Sequence, residues 1–416
     1  MTVHIVGAGV AGLTCAVAAA LAGERVVVYE SSGHAGGRCR TFSDPTLERE
    51  VDNGIHMLIG ANTSAFRYID MIGSRGEWLS LAPASFPFQD AATGEFWRLR
   101  PNAGRLPWWL LLPGRRVAGS RFVDHLGIFR LALARPGDTV ADCLGGPLLE
   151  RLWRPLTEAA LNTPPEEASA VLFRQVVRES FLKGEAACRP YLTRRGLTPA
   201  LVDPALDLLR RKGGTVRFNA RLRALEPGAR ETLLRFNDTA ITAGPGDRVV
   251  LALPPWAAAS FVHGTEARPP ADFRGIVNIH YRLDRTVPLP GGGPYLGVIS
   301  EPQAWLFVRG DVLTAMVSAA EALLPLSSPE IATRMWAMVE SVLHLGRDHP
   351  PPYRVIREKR ATPAHVPGNG TPIPLRPWPG VPHVVLAGDW TANEIPATIE
   401  AATRSGFRAA DLILQG

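Results

Sequence analysis

The alternation of apolar and polar positions is clearest at the start of the chain. Val3-His4-Ile5-Val6 is a short apolar run, Gly7-Ala8-Gly9-Val10-Ala11-Gly12 interrupts it, and Leu13 to Ala22 is apolar throughout. Arg25-Val26-Val27-Val28-Tyr29 is a second short run, closed by Glu30. Short β-branched runs predict buried strands and the longer Ala/Leu run predicts a helix, so this stretch reads as strand, turn, helix, strand. Strand character returns at Gly213 to Leu225, at Asp247 to Leu253 before Pro254-Pro255, and at Val384 to Ala387. A different pattern fills the intervals. Residues 76–199 carry helical stretches, many prolines and Trp78, Trp97, Trp108, Trp109 and Trp153; one helix runs to about Leu161 and is broken by Asn162-Thr163-Pro164-Pro165. Ile276 to Leu283, Trp305 to Val308 and Leu313 to Val317 predict antiparallel strands, with a glycine loop at Gly291 to Gly293 and a helix from Pro329 to Leu345.

The fold class expected is therefore α/β, α+β overall, with two units that are each discontinuous in sequence. Residues 1–75, 200–267 and 346–416 form a Rossmann-like nucleotide-binding domain, and 76–199 with 268–345 form an inserted substrate domain of antiparallel sheet and helices. A chain of 416 residues exceeds one typical core, which agrees with two domains.

The opening glycines have separate jobs. Gly7 permits the turn, Gly9 lets backbone approach a pyrophosphate, and Gly12 lets the helix pack close to the strand. Val10 and Ala11 begin the helix, whose free N–H groups and positive dipole end suit a phosphate, while Glu30 can accept hydrogen bonds from a ribose. Gly36-Gly37-Arg38 follows, where paired glycines allow close passage of a ligand and Arg38 can reach a phosphate or a flavin edge. In Val51-Asp52-Asn53-Gly54-Ile55-His56-Met57-Leu58 a polar group interrupts an apolar run, so its members are either hydrogen-bonded to each other's surroundings or line a site.

Composition and charge narrow the class. The net charge is +6 and the pI about 9.4, but the arginines are scattered without the basic blocks and interleaved aromatics of a nucleic-acid groove, so no nucleic-acid partner is expected. Cys15, Cys39, Cys143 and Cys188 lie far apart with no Cys-x-x-Cys pair, which argues against a zinc site or a disulfide framework and fits a reducing cytoplasm. No metal site is expected. The chain lacks a run of about 18 uncharged apolar residues, so no transmembrane helix is predicted. Residues 107–113, Pro-Trp-Trp-Leu-Leu-Leu-Pro, are followed by Arg115, Arg116 and Arg121 and read either as a membrane-interface element or as a buried core segment.

Gly-x-Gly-x-x-Gly with a terminal Glu, Gly-Gly-Arg and Asp-x-Gly-x-His resemble the opening of the FAD-dependent amine oxidase and carotenoid desaturase superfamily. The resemblance extends to the C-terminal part, where Val384-Val385-Leu386-Ala387-Gly388-Asp389-Trp390-Thr391 precedes Pro396-Ala397-Thr398-Ile399-Glu400. It implies an FAD cofactor. Gly388 and Asp389 would hold the ribityl chain, the amides at Thr398 and Ile399 would face the flavin pyrimidine ring, Gly54 would lie near the flavin, and backbone at Leu222 would meet the adenine. Residues 152–170, Pro204-Ala205-Leu206 and 353–362 are further similar to one branch, the bacterial hydroxysqualene dehydroxylases of squalene and hopanoid biosynthesis. That branch implies a long isoprenoid substrate, hydroxysqualene, converted to squalene by loss of its allylic hydroxyl and delivery of a hydride. Candidates for the acid are His56, ranked first, with Asp52 and Glu394. Arg309 departs from the branch pattern, as no acid precedes it. Isoprenoid or carotenoid desaturation, amine oxidation and non-catalytic lipid carriage remain alternatives. An insoluble substrate implies a cytoplasmic protein docked peripherally on the inner membrane face through 107–113. The electron donor and the oligomeric state are not readable.

Overall fold

The computed structural model describes residues 1–104, 106–262, 264–368, 373–391 and 394–415. Thr2–Val6 and Arg25–Tyr29 pair in parallel, joined by the crossover helix Val10–Leu21, as strands that share a direction must be. Distant segments complete this sheet. Its order is Thr215–Arg217, Arg25–Tyr29, Thr2–Val6, Arg248–Leu251 and Val384–Leu386, all parallel. Because alternate side chains point to opposite faces, Val26 and Val28 join one core cluster while Val27 and Tyr29 join another. Burial on both faces is why these strands are continuously apolar instead of alternating.

The expected strand from Gly213 to Leu225 is two strands in two sheets. Thr215–Arg217 joins the parallel sheet, and Leu222–Pro227 opens a separate antiparallel one with Thr232–Phe236 and Ala240–Ala243. The break falls at Asn219, whose φ of 56° turns the chain, and the Ala220 N–H donates to the Glu30 carbonyl at 2.8 Å.

A seven-stranded sheet forms the other half. Its order is Tyr353–Pro363, Phe273–Arg282, Val312–Val317, Ala304–Arg309, Tyr295–Ile299, Phe86–Asp90 and Phe96–Leu99. Two contributions to it were not located by the apolar pattern. Residues 76–199 supply two of its strands, and Tyr353–Pro363, grouped in sequence with the C-terminal nucleotide segment, pairs with Phe273–Arg282 instead. One face of the sheet packs Val277, Ile279 and Leu313 against Trp336 of the helix Ser328–Leu343. The other face carries Trp305, Phe307 and Met316 toward the helices Arg154–Leu161 and Ala170–Glu179.

Candidate functional site

One cavity of about 1280 Å³ runs from the glycine turn between the two sheets into the helical part of the molecule. At its nucleotide end the local chain geometry follows from glycine. Gly7 has φ +108°, and a Cβ there would stand 2.3 Å from the Ala252 carbonyl oxygen; at Gly12 it would stand 2.0 Å from the Gly7 carbonyl oxygen. Gly9 differs, since a Cβ there meets nothing within 4 Å, leaving open space above the N-terminus of the helix Val10–Leu21. That vacancy is what close approach of a diphosphate requires. Glu30 is held by N–H groups of Ala8 and Ser32, both at 2.9 Å, and a carboxylate so oriented keeps lone pairs for a ribose hydroxyl.

Gly7, Gly9, Val10, Ala11, Glu30, Gly36, Gly37, Arg38, Gly54, Leu222, Gly388, Asp389, Thr398 and Ile399 all line this cavity, together with His56. Gly12 does not line it; it lies beneath, where it permits close helix packing. Arg38 donates to the Ala361 carbonyl at 2.6 Å and to Asp389 Oδ1 at 2.7 Å, so the arginine and the aspartate expected to contact the cofactor separately are paired with each other along the wall. Gly388 donates its N–H to Ser405 Oγ at 2.9 Å. Thr398 caps the helix Ile399–Leu414 by accepting from the Ala401 N–H, and this helix N-terminus faces the cavity. Its dipole favours negative charge there.

The three acid candidates separate. His56 lines the cavity, and burial pushes its imidazole down to about 4, with Asp52 opposing and Arg38 reinforcing the shift. The ring is therefore neutral near pH 7. Asp52 is buried outside the cavity lining: Oδ1 accepts from Thr41 Oγ1 at 2.6 Å and from the Leu197 N–H at 2.9 Å, and Oδ2 accepts from Arg309 at 2.7 Å. This corrects the expectation for Asp52, whose oxygens are engaged in joining the hairpin Thr41–Asp44/Arg49–Asp52 to the larger sheet, and it gives Arg309 a structural partner. Glu394 is likewise corrected. It is exposed, pairs with Arg408 at 3.0 Å, and does not line the cavity.

Beyond the nucleotide end the walls become apolar. Met57, Phe86, Leu156, Phe173, Phe181, Trp305 and Phe307 are among the lining residues, and polar groups there are few. One of them, Asn162, terminates the helix Arg154–Leu161 with φ +49°, a left-handed value that asparagine tolerates better than most residues. Its Nδ2 donates to the Arg274 carbonyl (3.2 Å) and to Thr362 Oγ1 (3.1 Å), and its Oδ1 accepts from the Ala319 N–H (2.7 Å). Next to it Thr163 Oγ1 accepts from the His365 N–H, and His365 Nε2 accepts from the Ala397 N–H at 3.0 Å. The Asn162-Thr163-Pro164-Pro165 break, which composition marks only as a packing element, ties helices, sheet and flavin-side turn together. Sequence reasoning also passed over His365 and Asn278. The available signal for Asn278 was a polar residue at an inward position of an apolar strand.

Residues 107–113 divide between their two readings. In the turn Trp108–Leu111, Trp109 is buried and its N–H donates to Asn102 Oδ1, whereas Trp108, Leu111 and Leu112 are exposed. No described helix is long and apolar enough to cross a membrane.

Comparison with known proteins agrees with this geometry. Residues 10–414 match the family described as flavin containing amine oxidoreductase. The chain is 40% identical over 417 residues to a hydroxysqualene dehydroxylase of Sinorhizobium fredii, covering 99% of this chain and 98% of that one. It is 39% identical over 419 residues to a protein of the same name from Rhodopseudomonas palustris, with the same coverage of each. Among solved structures, cyclohexylamine oxidase from Brevibacterium oxydans superposes with a TM-score of 0.73 at 16% identity, over 100% of this chain and 98% of that one, a likeness of fold.

Proposed function

This chain belongs to the flavin containing amine oxidoreductase family, in the branch of the hydroxysqualene dehydroxylases, and from that premise we propose that it converts hydroxysqualene to squalene with FAD as its cofactor. The observation that carries the reading is the two-ended cavity: a glycine-lined, helix-capped nucleotide end continuous with an apolar, aromatic-walled end. The donor set fits a dinucleotide, since the open space above Gly9, the helix N-terminus behind it and the oriented Glu30 match a diphosphate and a ribose.

The net change breaks the allylic C–O bond and forms a C–H bond. The oxygen takes a proton and leaves as water, and two electrons come from an external two-electron donor. Reduced FAD, when bound, supplies the hydride chemistry. What the chain adds is exclusion and electrostatics. Phe173, Phe181, Trp305 and Phe307 line the apolar end, where they exclude water from an electron-deficient carbon and supply electron-rich rings around it. The dipole of the helix Ile399–Leu414 stabilises negative charge at the end of the cavity it faces. His56 is the proton donor in this reading, because it alone of the three candidates lines the cavity.

Access for such a substrate favours peripheral docking on an anionic bilayer, and the surface in question is larger than 107–113. Leu106 (80% exposed), Leu111 (60%), Phe129 (66%) and Leu133 (81%) stand out with Trp108 and Val123 on successive short helices and the turns that flank them. Between residues 101 and 135 the sequence has six arginines and one acid, Asp124, and the Arg115 guanidinium lies 5.0 Å over the Trp108 ring. Apolar side chains among cations match the boundary of an anionic membrane. The patch adjoins the cavity wall, since the Glu185 N–H donates to the Asn102 carbonyl at 2.9 Å, bringing the turn Phe181–Lys183 against residues 102–104. The decisive experiment incubates purified flavin-loaded protein with hydroxysqualene and a chemical reductant. Squalene by mass spectrometry is the expected product, and recovery of unchanged alcohol refutes the reading.

A further inference from the structure

Among the described residues, Asn278 on the larger sheet lines the cavity with a side-chain amide whose oxygen has no hydrogen-bond partner. Asn278 lies within the strand Phe273–Arg282 on the face it shares with Ile276, while its neighbours Val277 and Ile279 point into the core under the helix Ser328–Leu343. Across the sheet it pairs with Met316 of Val312–Val317, and Trp305 and Phe307 stand on the strand beyond, so its surroundings are apolar. The side chain is 1% exposed, and Oδ1 has no hydrogen-bond partner. On the cavity side it faces Gly54, where an added Cβ would stand 3.2 Å from Nδ2.

His280, two residues on, meets Thr314 Oγ1 through Nδ1 at 2.8 Å, while its Nε2 has no partner and does not reach the cavity. Asn278 has no such neighbour and yet lines the cavity. A buried amide left without partners destabilises the empty protein, and a hydroxyl that hydrogen-bonds to it recovers part of that loss. An isoprenoid alcohol carries a single polar group, its hydroxyl, and a hydroxyl both donates and accepts, so it matches the amide.

We propose that Asn278 is the residue that receives the hydroxyl of the isoprenoid alcohol, with the substrate oxygen accepting from Nδ2, the amide atom that faces Gly54. The proposal rests on the dehydroxylase reading. Two consequences follow for the same side chain. It fixes which carbon of a long and nearly featureless chain stops at the Gly54 to His56 segment. It also discriminates alcohol from hydrocarbon, because squalene has no oxygen to offer and loses the contact as soon as the hydroxyl has left.

The test is competitive retention of hydroxysqualene and squalene on immobilised, flavin-loaded protein in detergent, quantified by mass spectrometry. The unaltered protein is expected to prefer the alcohol by roughly tenfold to a hundredfold, the range of one buried hydrogen bond. Asn278→Leu should bring the two ligands to within about threefold by weakening the alcohol alone, and Asn278→Ser should restore part of the preference. Asn278→Ala carries the same comparison should the leucine variant lose its flavin. An undiminished preference in the leucine or alanine variant overturns the proposal. If the unaltered protein neither retains nor converts the alcohol, the dehydroxylase reading itself fails and takes this inference with it.

Discussion

Replacing Asn162 by Ala removes contacts to three separate segments and places a Cβ-bearing residue without a polar side chain at φ +49°. The left-handed backbone costs alanine about 1 kcal/mol. Leaving the Ala319 N–H and the Arg274 carbonyl without this partner costs about 1–3 kcal/mol each, as Asn162 is 4% exposed and water has little access. The expected total is about 3–7 kcal/mol, a large part of the roughly 5–15 kcal/mol that holds most folded chains together. Asn162→Gly separates the two contributions. It loses the same hydrogen bonds but adopts the backbone freely, so it should be about 1 kcal/mol more stable than the alanine variant. Asn162→Asp retains the acceptor for the Ala319 N–H and should fall nearer the unaltered protein. Urea unfolding followed by tryptophan fluorescence and by flavin release gives both numbers. An alanine variant within 1 kcal/mol of the parent, or a glycine variant no better than alanine, would show that the helix break is held by packing alone.

Acid should weaken the fold through its histidines. Burial pushes His56, His125 and His280 down to about 4, so the unfolded chain, near 6.5, binds more protons between those values; stability is present above 6.5 and is lost as pH falls toward 4. Glu158 has the opposite sign, since burial raises its carboxyl to about 7 and stability is lost as pH rises through that value. From pH 6.5 to 5.5 each group contributes about 1 kcal/mol, so a net loss of about 2 kcal/mol is expected, rising to about 3 in Glu158→Gln. A flat melting temperature across that interval would contradict it. His56→Ala with normal flavin content should abolish turnover, and with a ring titrating near 4 the parent rate should climb about tenfold per pH unit between 7 and 5; unchanged turnover in the variant removes His56 as the acid. Leu111→Ser with Phe129→Ser should lower co-sedimentation with phosphatidylglycerol vesicles about tenfold or more, given about 2 kcal/mol for two large side chains, and full retention argues against docking there.

Legibility in the sequence followed the kind of constraint. The glycine turn was readable because each glycine answers a local need: positive φ at Gly7, clearance at Gly12, open space at Gly9. Parallel strands were readable because burial on both faces makes them apolar throughout. Asp52 and Glu394 were not, because a carboxylate's role depends on which arginine reaches it, and Arg309 lies 257 residues from Asp52. The split at Asn219 was hidden in a run that alternates on both sides of it. Exposure of Phe129 and Leu133 was equally invisible, since an amphipathic stretch announces an apolar face without saying whether protein or lipid covers it. Asn278 was passed over because a lone polar residue in an apolar strand does not show which face it occupies until its neighbours are known.

The parallel sheet joins residues 2–29, 215–217, 248–251 and 384–386, and Gly406 of the last helix packs so closely on the first that a Cβ there would stand 2.4 Å from the Ala11 carbonyl oxygen. The strand of the glycine turn is flanked by Arg25–Tyr29 and Arg248–Leu251, and the helix after the turn packs on Ile399–Leu414. The nucleotide end therefore closes only when segments far apart in sequence have met, and until then its apolar strands expose pairing edges to other chains.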